Sequence, residues 1–281
     1  MTISQALRKA TVGLAASSDT PRLDAELLMA AALGVTRSEL LLQRLGDAVP
    51  EDFDALLERR VRYEPVAYIL GRQEFFGLDF RVTPDVLIPR GDSEVLVEAA
   101  IAAKPDAGRV LDCGTGSGAL LLAALSRLAE ARGIGIDRSP AAAAVARENA
   151  ASLGLSERAT MLVLDWDQTG WTDRLGSPFD LILANPPYVE TEADLAPSVR
   201  AHEPHGALFA GADGLDAYRT LIPQISSFLA PQGVAIFEIG ATQAQAVTAI
   251  ADAAGFAAKL HRDLGGRPRA LELSRFHSLA Q

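Results

Sequence analysis

The sequence predicts an α/β fold with a mostly parallel sheet, preceded by a small all-helical domain and a hairpin linker. Residues 1–72 show only helical patterns, and short apolar runs then alternate with helical segments. Alternation of this kind implies a mostly parallel sheet with helices on both faces. The last two apolar runs flank Gly265-Gly266-Arg267-Pro268 with no helix between them, so they should pair as a hairpin, which makes one strand antiparallel.

The helical domain, residues 1–72, contains several helix signals. Thr20-Pro21 places an N-cap before a proline, and Gly34 ends that helix. Thr36 and Glu39 predict a capping box. A further helix is expected to start at Pro50. Its apolar face comprises Phe53, Leu56, Leu57 and Val61.

Residues 73–89 are predicted to form a hairpin linker. Phe75-Phe76-Gly77 leads through a turn to a second strand at Asp79-Phe80-Arg81-Val82. The last domain, residues 90–281, begins with a helix over about 92–103. Strands are expected at 109–113, 133–137, 159–164, 179–184, 233–238, 256–261 and 270–274. Helices are expected near 118–130, 140–152, 216–229 and 242–254.

The composition is that of an ordinary globular protein, with 49% hydrophobic and 22% charged residues. There is no apolar run of 18 residues and no signal-peptide pattern, so we expect a cytoplasmic protein without membrane association. The single cysteine excludes an intrachain disulfide. A net charge of −10 argues against direct nucleic-acid binding through phosphates, and a monomer is expected.

The four histidines do not predict a metal site. They are scattered, and only two of them are close in sequence, in a loop without a partner set of ligands. They are His202, His205, His261 and His277.

A glycine-rich loop follows the first strand of the sheet and opens a helix. Its residues are Gly114, Thr115, Gly116, Ser117 and Gly118. Glycines permit a close backbone approach to a ligand, and the helix start presents free N–H groups. Asp137 lies 23 residues beyond Gly114, at the end of the second strand, where a carboxylate accepts hydrogen bonds from ribose hydroxyls. This pattern indicates an adenosine-containing ligand without separating NAD from S-adenosylmethionine.

Three further residues favour S-adenosylmethionine. A carboxylate at Asp112 would repel a pyrophosphate but suits a methionyl ammonium; alternatively, it caps the loop. Asp165 and Trp166 end the third strand, where an acid can take the exocyclic amine of adenine and an aromatic face can lie against its ring. The alternative for Trp166 is a rim residue that covers the core.

Asn185-Pro186-Pro187-Tyr188 directly follows a buried strand, so it holds an amide and an aromatic ring at the carboxyl edge of the sheet. The Asn185 side-chain oxygen and the Pro186 carbonyl can each accept one N–H of a planar NH₂ group, which leaves its lone pair facing a methyl donor. Tyr188 can stack on the acceptor. This set of groups suits methyl transfer to an amide or exocyclic amino nitrogen, by positioning and without a strong base.

The glycine loop, the Asn-Pro-Pro-Tyr motif and the segment from Phe75 to Arg90 resemble bacterial peptide-chain release factor N5-glutamine methyltransferases. The similarity covers nearly the whole chain. It implies a class I methyltransferase (Rossmann-like) fold and S-adenosylmethionine contacts from Gly114 through Gly118, Asp137, Trp166 and Asn185. It also implies that residues 185–188 hold the glutamine of a release-factor Gly-Gly-Gln motif, and that the helical domain helps to dock the factor.

The chain departs from the family pattern at two places. Gly91-Asp92-Ser93-Glu94 stands where the family usually has Pro-Asp-Thr-Glu, and His205-Gly206 replaces a basic and then an apolar residue. The preceding Arg90 either contacts the substrate or pairs with an acid at the domain interface. Rival readings are an adenine-amino methyltransferase, a methyltransferase for a ribosomal-protein glutamine, and a non-catalytic S-adenosylmethionine-binding module.

Overall fold

The computed structural model describes residues 1–176 and 178–276, and the chain divides into two compact units. The first unit comprises Met1–Arg72 and Leu195–Glu203, and the second comprises Gln73–Asp194 and Pro204–Gln281. Residues 73–89 therefore belong to the second unit. The inclusion of residues 195–203 in the first unit has no counterpart in the sequence pattern.

The first unit is helical, with an apolar core of aliphatic side chains and Phe53. Its helices are α1 (Ile3–Leu14), α2 (Pro21–Leu33), α3 (Arg37–Glu39), α4 (Phe53–Val61) and α5 (Val66–Leu70). A π-helical segment, Leu40–Arg44, continues α3. A buried Arg60–Asp24 ion pair, with nitrogen and oxygen 2.7 Å apart, joins α4 to α2.

Helix α2 begins at Pro21 and ends at Gly34 as predicted, whereas other helix signals in the first unit are corrected. Gly34 ends α2 in the left-handed conformation, with φ of 67°. The Thr36 hydroxyl accepts from the Glu39 N–H, but the Glu39 carboxylate accepts from Arg44, so only half of the capping box forms. Helix α4 starts at Phe53 because the chain from Pro50 makes a turn first. The apolar-face prediction was wrong for Val61, the last residue of α4, which is 45% exposed.

The second unit contains the expected hairpin, β1 (Arg72–Phe75) with β2 (Leu78–Arg81), and a seven-stranded sheet. The strands of the sheet are β3 (Arg109–Cys113), β4 (Arg132–Asp137), β5 (Ala159–Val163), β6 (Phe179–Ala184), β7 (Leu229–Glu238), β8 (Phe256–Arg262) and β9 (Pro268–Arg275). Their order is β5-β4-β3-β6-β7-β9-β8. Strand β9 alone runs antiparallel to its neighbours, which confirms the mostly parallel sheet with one antiparallel strand.

Helices cover both faces of this sheet, and each face has its own apolar core. They are α6 (Glu94–Ala103), α7 (Ala119–Arg127), α8 (Pro140–Ser152), α10 (Asp216–Ile225) and α11 (Ala244–Ala253), whereas α9 (Pro197–His202) belongs to the first unit. Pro223 lies inside α10. Strand β7 begins four residues before the predicted start, because a shift in its register with β6 lets the Pro231-Gln232-Gly233 sequence remain in the strand.

The strand order places a switch point at β3. From β3, the chain builds outward to β4 and β5 on one side, and then crosses to β6 on the other. In open α/β sheets, ligands bind at the carboxyl ends of the strands beside such a point. The glycine loop after β3 and the Asn-Pro-Pro-Tyr motif after β6 flank this crevice. Within the described residues, no helix is both long and apolar enough to cross a membrane.

Candidate active site

The glycine loop is fixed to the neighbouring strand by its backbone. The N–H groups of Gly114 and Thr115 both donate to the Ile136 carbonyl, at 2.9 and 2.8 Å. Gly114, Gly116 and Gly118 have φ values of 78°, 54° and 82°, a region that strains other residues. The loop can therefore keep this shape only with glycine at these positions.

Asp137 ends β4, and its carboxylate faces the glycine loop. One oxygen accepts from the Gly116 N–H at 3.0 Å, and the other accepts from the Ser139 N–H at 2.8 Å. Burial raises the pKa of this carboxyl, and the two backbone donors oppose that rise. Each oxygen retains a second lone pair for a ligand hydroxyl.

Trp166 and Asp165 lie just beyond the end of β5 at Val163. The Trp166 indole packs against the glycine loop: a Cβ placed on Gly114 would lie 3.2 Å from the ring. The indole is also half-buried against the core. The structure therefore shows both features that the sequence offered as alternatives, a ring in the crevice and a ring that covers core.

Asp112 is fully buried in β3 and does not line the crevice. One of its carboxylate oxygens accepts from the Thr115 hydroxyl at 2.6 Å, and within the described residues the other has no hydrogen-bond partner. Burial raises its pKa to about 7. This geometry favours the loop-capping interpretation over contact with a methionyl ammonium.

Asn185-Pro186-Pro187-Tyr188 follows β6, as predicted, with Asn185 half-buried and Pro186 buried. Across residues 1–176 and 178–276, neither the Asn185 side-chain amide nor the Pro186 carbonyl makes a hydrogen bond. Of these two residues, Asn185 lines the cavity and Pro186 does not. Two prolines in succession prevent this loop from continuing the strand and hold the amide at the sheet edge.

Tyr188 is held at both ends. Its hydroxyl donates to the Glu238 carboxylate at 3.2 Å, and its carbonyl accepts from the Gln243 side-chain amide at 3.0 Å. Burial, followed by the charge of Glu238, raises the pKa of the Tyr188 hydroxyl, which therefore remains a donor. The sequence reasoning missed Glu238; the signal was an acidic residue that ends the apolar run of β7.

Most of the predicted site residues line one cavity of about 380 Å³, a volume typical of small-ligand sites. They are Arg90, Gly114, Thr115, Gly116, Ser117, Asp137, Asp165, Trp166, Asn185 and Pro187. The structure does not place Gly118, Pro186 or Tyr188 among the lining residues. Gly118 faces the helix layer instead, where an added Cβ would lie 3.0 Å from Leu122.

The two departures from the family pattern lie at the same cavity. Ser93 and Gly206 both line it. A Cβ on Gly206 would collide with the guanidinium of Arg138, which donates to the Gly206 carbonyl at 3.2 Å. The missing side chain at residue 206 therefore makes room for Arg138 at the rim.

The histidines make other contacts. His202 Nε2 lies 3.3 Å from the Arg62 carbonyl, the His205 ring packs edge-on against Phe209, and His261 pairs with Glu272 at 2.8 Å. In the part of the chain that the structure describes, no three His, Cys, Asp or Glu side chains group as metal ligands. His277 lies outside the described residues.

The residues around the cavity fit S-adenosylmethionine. The glycine loop and Trp166 leave no room for a side chain at Gly114, which keeps the backbone and ring at the cavity wall. Asp137 supplies carboxylate lone pairs for a ribose, and the carboxylate of Asp165 lines the same cavity. No pyrophosphate-binding cation is needed for such a ligand.

Two family models match the chain. The PrmC N-terminal domain matches residues 5–71, and a methyltransferase domain matches residues 104–260. The structure is also similar to that of the hMettl16 catalytic domain in complex with MAT2A 3'UTR hairpin 6. The TM-score is 0.55 at 15% identity, covering 72% of this chain and 77% of that chain. This likeness shows the fold.

Curated relatives extend over nearly the whole sequence. The release factor glutamine methyltransferase of Caulobacter vibrioides is 46% identical over 248 residues, which is 85% of this chain and 84% of that protein. The enzyme of the same name from Cereibacter sphaeroides is 43% identical over 277 residues, which is 96% of this chain and 97% of that protein. The chain therefore belongs to the release factor glutamine methyltransferase family.

Proposed function

We propose that this chain transfers a methyl group from S-adenosylmethionine to the side-chain amide nitrogen (N5) of the glutamine in the Gly-Gly-Gln motif of peptide-chain release factors. Family membership makes S-adenosylmethionine the methyl donor. One observation carries the choice of an amide substrate. Asn185, whose side-chain amide has no hydrogen-bond partner among the described residues, lines the same cavity as the glycine loop, across the switch point of the sheet.

The cofactor supplies an electrophilic methyl group on a positively charged sulfur. In this proposal, Gly114, Thr115, Gly116 and Ser117 bind it through the loop backbone, Asp137 accepts from its ribose, and Asp165 and Trp166 hold its adenine. Gly118 contributes by allowing the turn into α7, since it faces Leu122 and not the cavity.

The substrate amide has a delocalised lone pair and is a weak nucleophile, so its orientation decides the rate. The Asn185 oxygen and the Pro186 carbonyl each accept one N–H of the glutamine NH₂, which directs the lone pair toward the methyl group. Pro187, which lines the cavity, borders the glutamine side chain, and Arg90 binds nearby at the cavity wall. The next residue, Tyr188, does not line the cavity, and the proposal places its ring against the plane of the bound amide.

Catalysis is then mainly positioning, which can supply about 7–11 kcal/mol when the reacting groups are well oriented. The methylated nitrogen becomes strongly acidic once its lone pair is used, so its proton leaves to water after transfer. Asn185 and Pro186 therefore act as acceptors that orient the amide, and no strong base is required at this position.

The remaining parts of the proposal concern the whole chain. The helical residues 1–72 help to dock the release factor, and the methyltransferase segment 90–281 carries the chemistry. The chain works as a cytoplasmic monomer without direct nucleic-acid contact. Nearly balanced charge over residues 1–75, with nine basic and eleven acidic residues, suits a protein partner better than a nucleic acid.

The test is mass spectrometry of a folded release factor after incubation with this protein and deuterated-methyl S-adenosylmethionine. A labelled methyl group on the Gly-Gly-Gln glutamine is the expected result. A release factor with glutamate in place of that glutamine is the matched substrate control and should remain unlabelled. Label appearing only on a ribosomal protein or an adenine-containing oligonucleotide would overturn the substrate assignment.

Asn185→Ala tests the amide clamp. We expect cofactor affinity within about twofold of the wild type but a loss of at least about 100-fold in kcat, since orientation of the amide is lost. Isothermal titration calorimetry measures the first quantity, and the mass-spectrometric assay measures the second. Full activity in this variant would show that Asn185 does not hold the glutamine.

A further inference from the structure

A buried carboxylate beside the Asn-Pro-Pro-Tyr loop has no part in the chemistry described above. Glu238 ends β7 and is 2% exposed. Strands β6 and β7 are parallel, with Ala184 paired with Phe237, so the next residues in register are Asn185 and Glu238. The sheet thus brings this carboxylate to the carboxyl edge, directly beside the proposed clamp.

The surroundings of Glu238 include several polar groups. Its carboxylate accepts from the Tyr188 hydroxyl at 3.2 Å, and its backbone carbonyl accepts from the Tyr218 hydroxyl at 2.8 Å. Burial raises the pKa of Glu238, and the Ser93 and Tyr188 hydroxyls and the Arg269 guanidinium lower it. Burying a carboxyl group is costly unless it is hydrogen-bonded, and among the described residues only one of the two Glu238 oxygens has a hydrogen-bond partner, the Tyr188 hydroxyl.

The Tyr188 ring is restrained from two directions. Its hydroxyl is bound to Glu238, and its backbone carbonyl is bound to Gln243, whose own side-chain oxygen accepts from the Gly240 N–H at 3.0 Å. A Cβ on Gly214 would collide with the Tyr188 carbonyl, so the loop is also closely packed there. Among the described residues, only Glu238 forms a hydrogen bond with the hydroxyl at the far end of the ring.

A network of arginine and aspartate side chains lies near this pair. Arg269 lies on β9, is mostly buried, and donates to Asp92 at 2.8 Å while lying 3.5 Å from Asp263. Its charge, and that of Arg90, lower the pKa of the Tyr188 hydroxyl against the effect of burial. The tyrosine hydroxyl therefore lies between its acceptor, the Glu238 carboxyl group, and two neighbouring cations.

We propose that Glu238 is a positioning residue for methyl transfer: it anchors the Tyr188 hydroxyl and so fixes the ring that borders the substrate amide. This inference rests on the proposed function. In this proposal Glu238 contacts neither substrate nor cofactor, because it is 2% exposed and its carboxyl group is bound to the Tyr188 hydroxyl. Its effect on the rate passes through Tyr188, and its removal lowers kcat without weakening cofactor binding.

The test is a double-mutant cycle with Tyr188→Phe and Glu238→Leu. Leaving a buried hydrogen-bonding group without its partner costs about 10- to 100-fold if the ring must be held, so each single variant should lose about that much in kcat. Because both act through one contact, the double variant should be no slower than the slower single variant. Losses that multiply would show that Glu238 acts independently of Tyr188 and would overturn the proposal.

Two further variants separate positioning from a structural role. Glu238→Gln retains an acceptor for the tyrosine hydroxyl and should recover most of the activity lost in Glu238→Leu; no recovery would contradict the proposal. Tyr218→Phe is the matched control, since it removes a buried hydroxyl that meets the backbone of Glu238 and not its carboxylate. The kcat of Tyr218→Phe should stay within about twofold of the wild-type value. A loss of kcat as large as that of Tyr188→Phe would indicate that removing any buried hydroxyl here loosens the core, and would contradict the proposal.

Calorimetric cofactor affinity and a crystal structure of Glu238→Leu complete the experiment. Unchanged affinity together with a displaced Tyr188 ring is the expected pair of results. An unmoved ring would overturn the positioning role even if activity fell. If the wild-type protein does not label a release factor, the proposed function is wrong. The position of the Tyr188 ring in Glu238→Leu would still show whether Glu238 holds that ring.

Discussion

Replacing the buried Asp112 by asparagine should change how the stability of this protein depends on pH. The carboxyl is fully buried, one oxygen accepts from the Thr115 hydroxyl at 2.6 Å, and the other has no partner within the described residues. Burial raises its pKa from 3.8 to about 7. Asparagine keeps an acceptor for Thr115 and nearly the same shape, but it cannot ionise.

Proton binding by Asp112 determines whether the protein becomes more or less stable as the pH rises. A carboxyl with a raised pKa in the folded state binds its proton more tightly there than in the unfolded chain. Its contribution to stability is therefore fully present below about pH 4 and is lost as the pH rises to about 7. Between pH 5 and pH 8, the contribution of the Asp112 carboxyl to the free energy of unfolding falls by roughly 2.7 kcal/mol, which corresponds to about two pKa units.

The assay is thermal and urea unfolding of the wild type and Asp112→Asn at pH 5 and pH 8. The difference in unfolding free energy between the two proteins should shift by roughly 2–3 kcal/mol in favour of the variant at pH 8, or about 5–10 °C in Tm. Asp252→Asn, which removes a carboxylate from the surface, controls for the loss of one charge. A difference that is the same at both pH values would refute the buried, neutral carboxyl.

Two more predictions concern the glycine loop. Asp137→Ala should weaken S-adenosylmethionine binding about tenfold or more by calorimetry, because it removes both the proposed ribose acceptor and the bond to Gly116; unchanged affinity would eliminate that role. Gly114→Ala should lower the Tm by more than Gly116→Ala. Both glycines have positive φ, but only the alanine at residue 114 would place a Cβ near an indole, 3.2 Å from Trp166. Equal losses in Tm for the two variants would mean that this contact does not contribute to stability.

The sequence contained most of the architecture because the relevant signals are local. Alternating apolar and helical segments predicted the strands of the sheet, and the short turn before β9 predicted its antiparallel direction. The glycine loop and the Asn-Pro-Pro-Tyr motif each follow a strand, so their position at the carboxyl edge was predictable from the chain alone. Helix ends were less predictable: α4 starts after Pro50 because a turn precedes it.

The tertiary structure decided which side chains meet. Nothing local indicates that Glu238 would bind Tyr188, because the two are 50 residues apart and become neighbours only through the pairing of β6 with β7. Likewise, the sequence left open whether Asp112 faces a ligand or caps a loop, and burial in β3 favours the cap.

The sequence by itself therefore determined the fold class, the cofactor and the family of this protein, since these depend on short motifs and their order along the chain. The tertiary structure determined which polar groups remain free to bind a ligand and which form hydrogen bonds with other groups of the protein. Asn185 is left without a hydrogen bond in the described residues, whereas the hydroxyl of Tyr188 is already bound. That distinction depends on strand order and burial, which bring together groups that no sequence spacing connects.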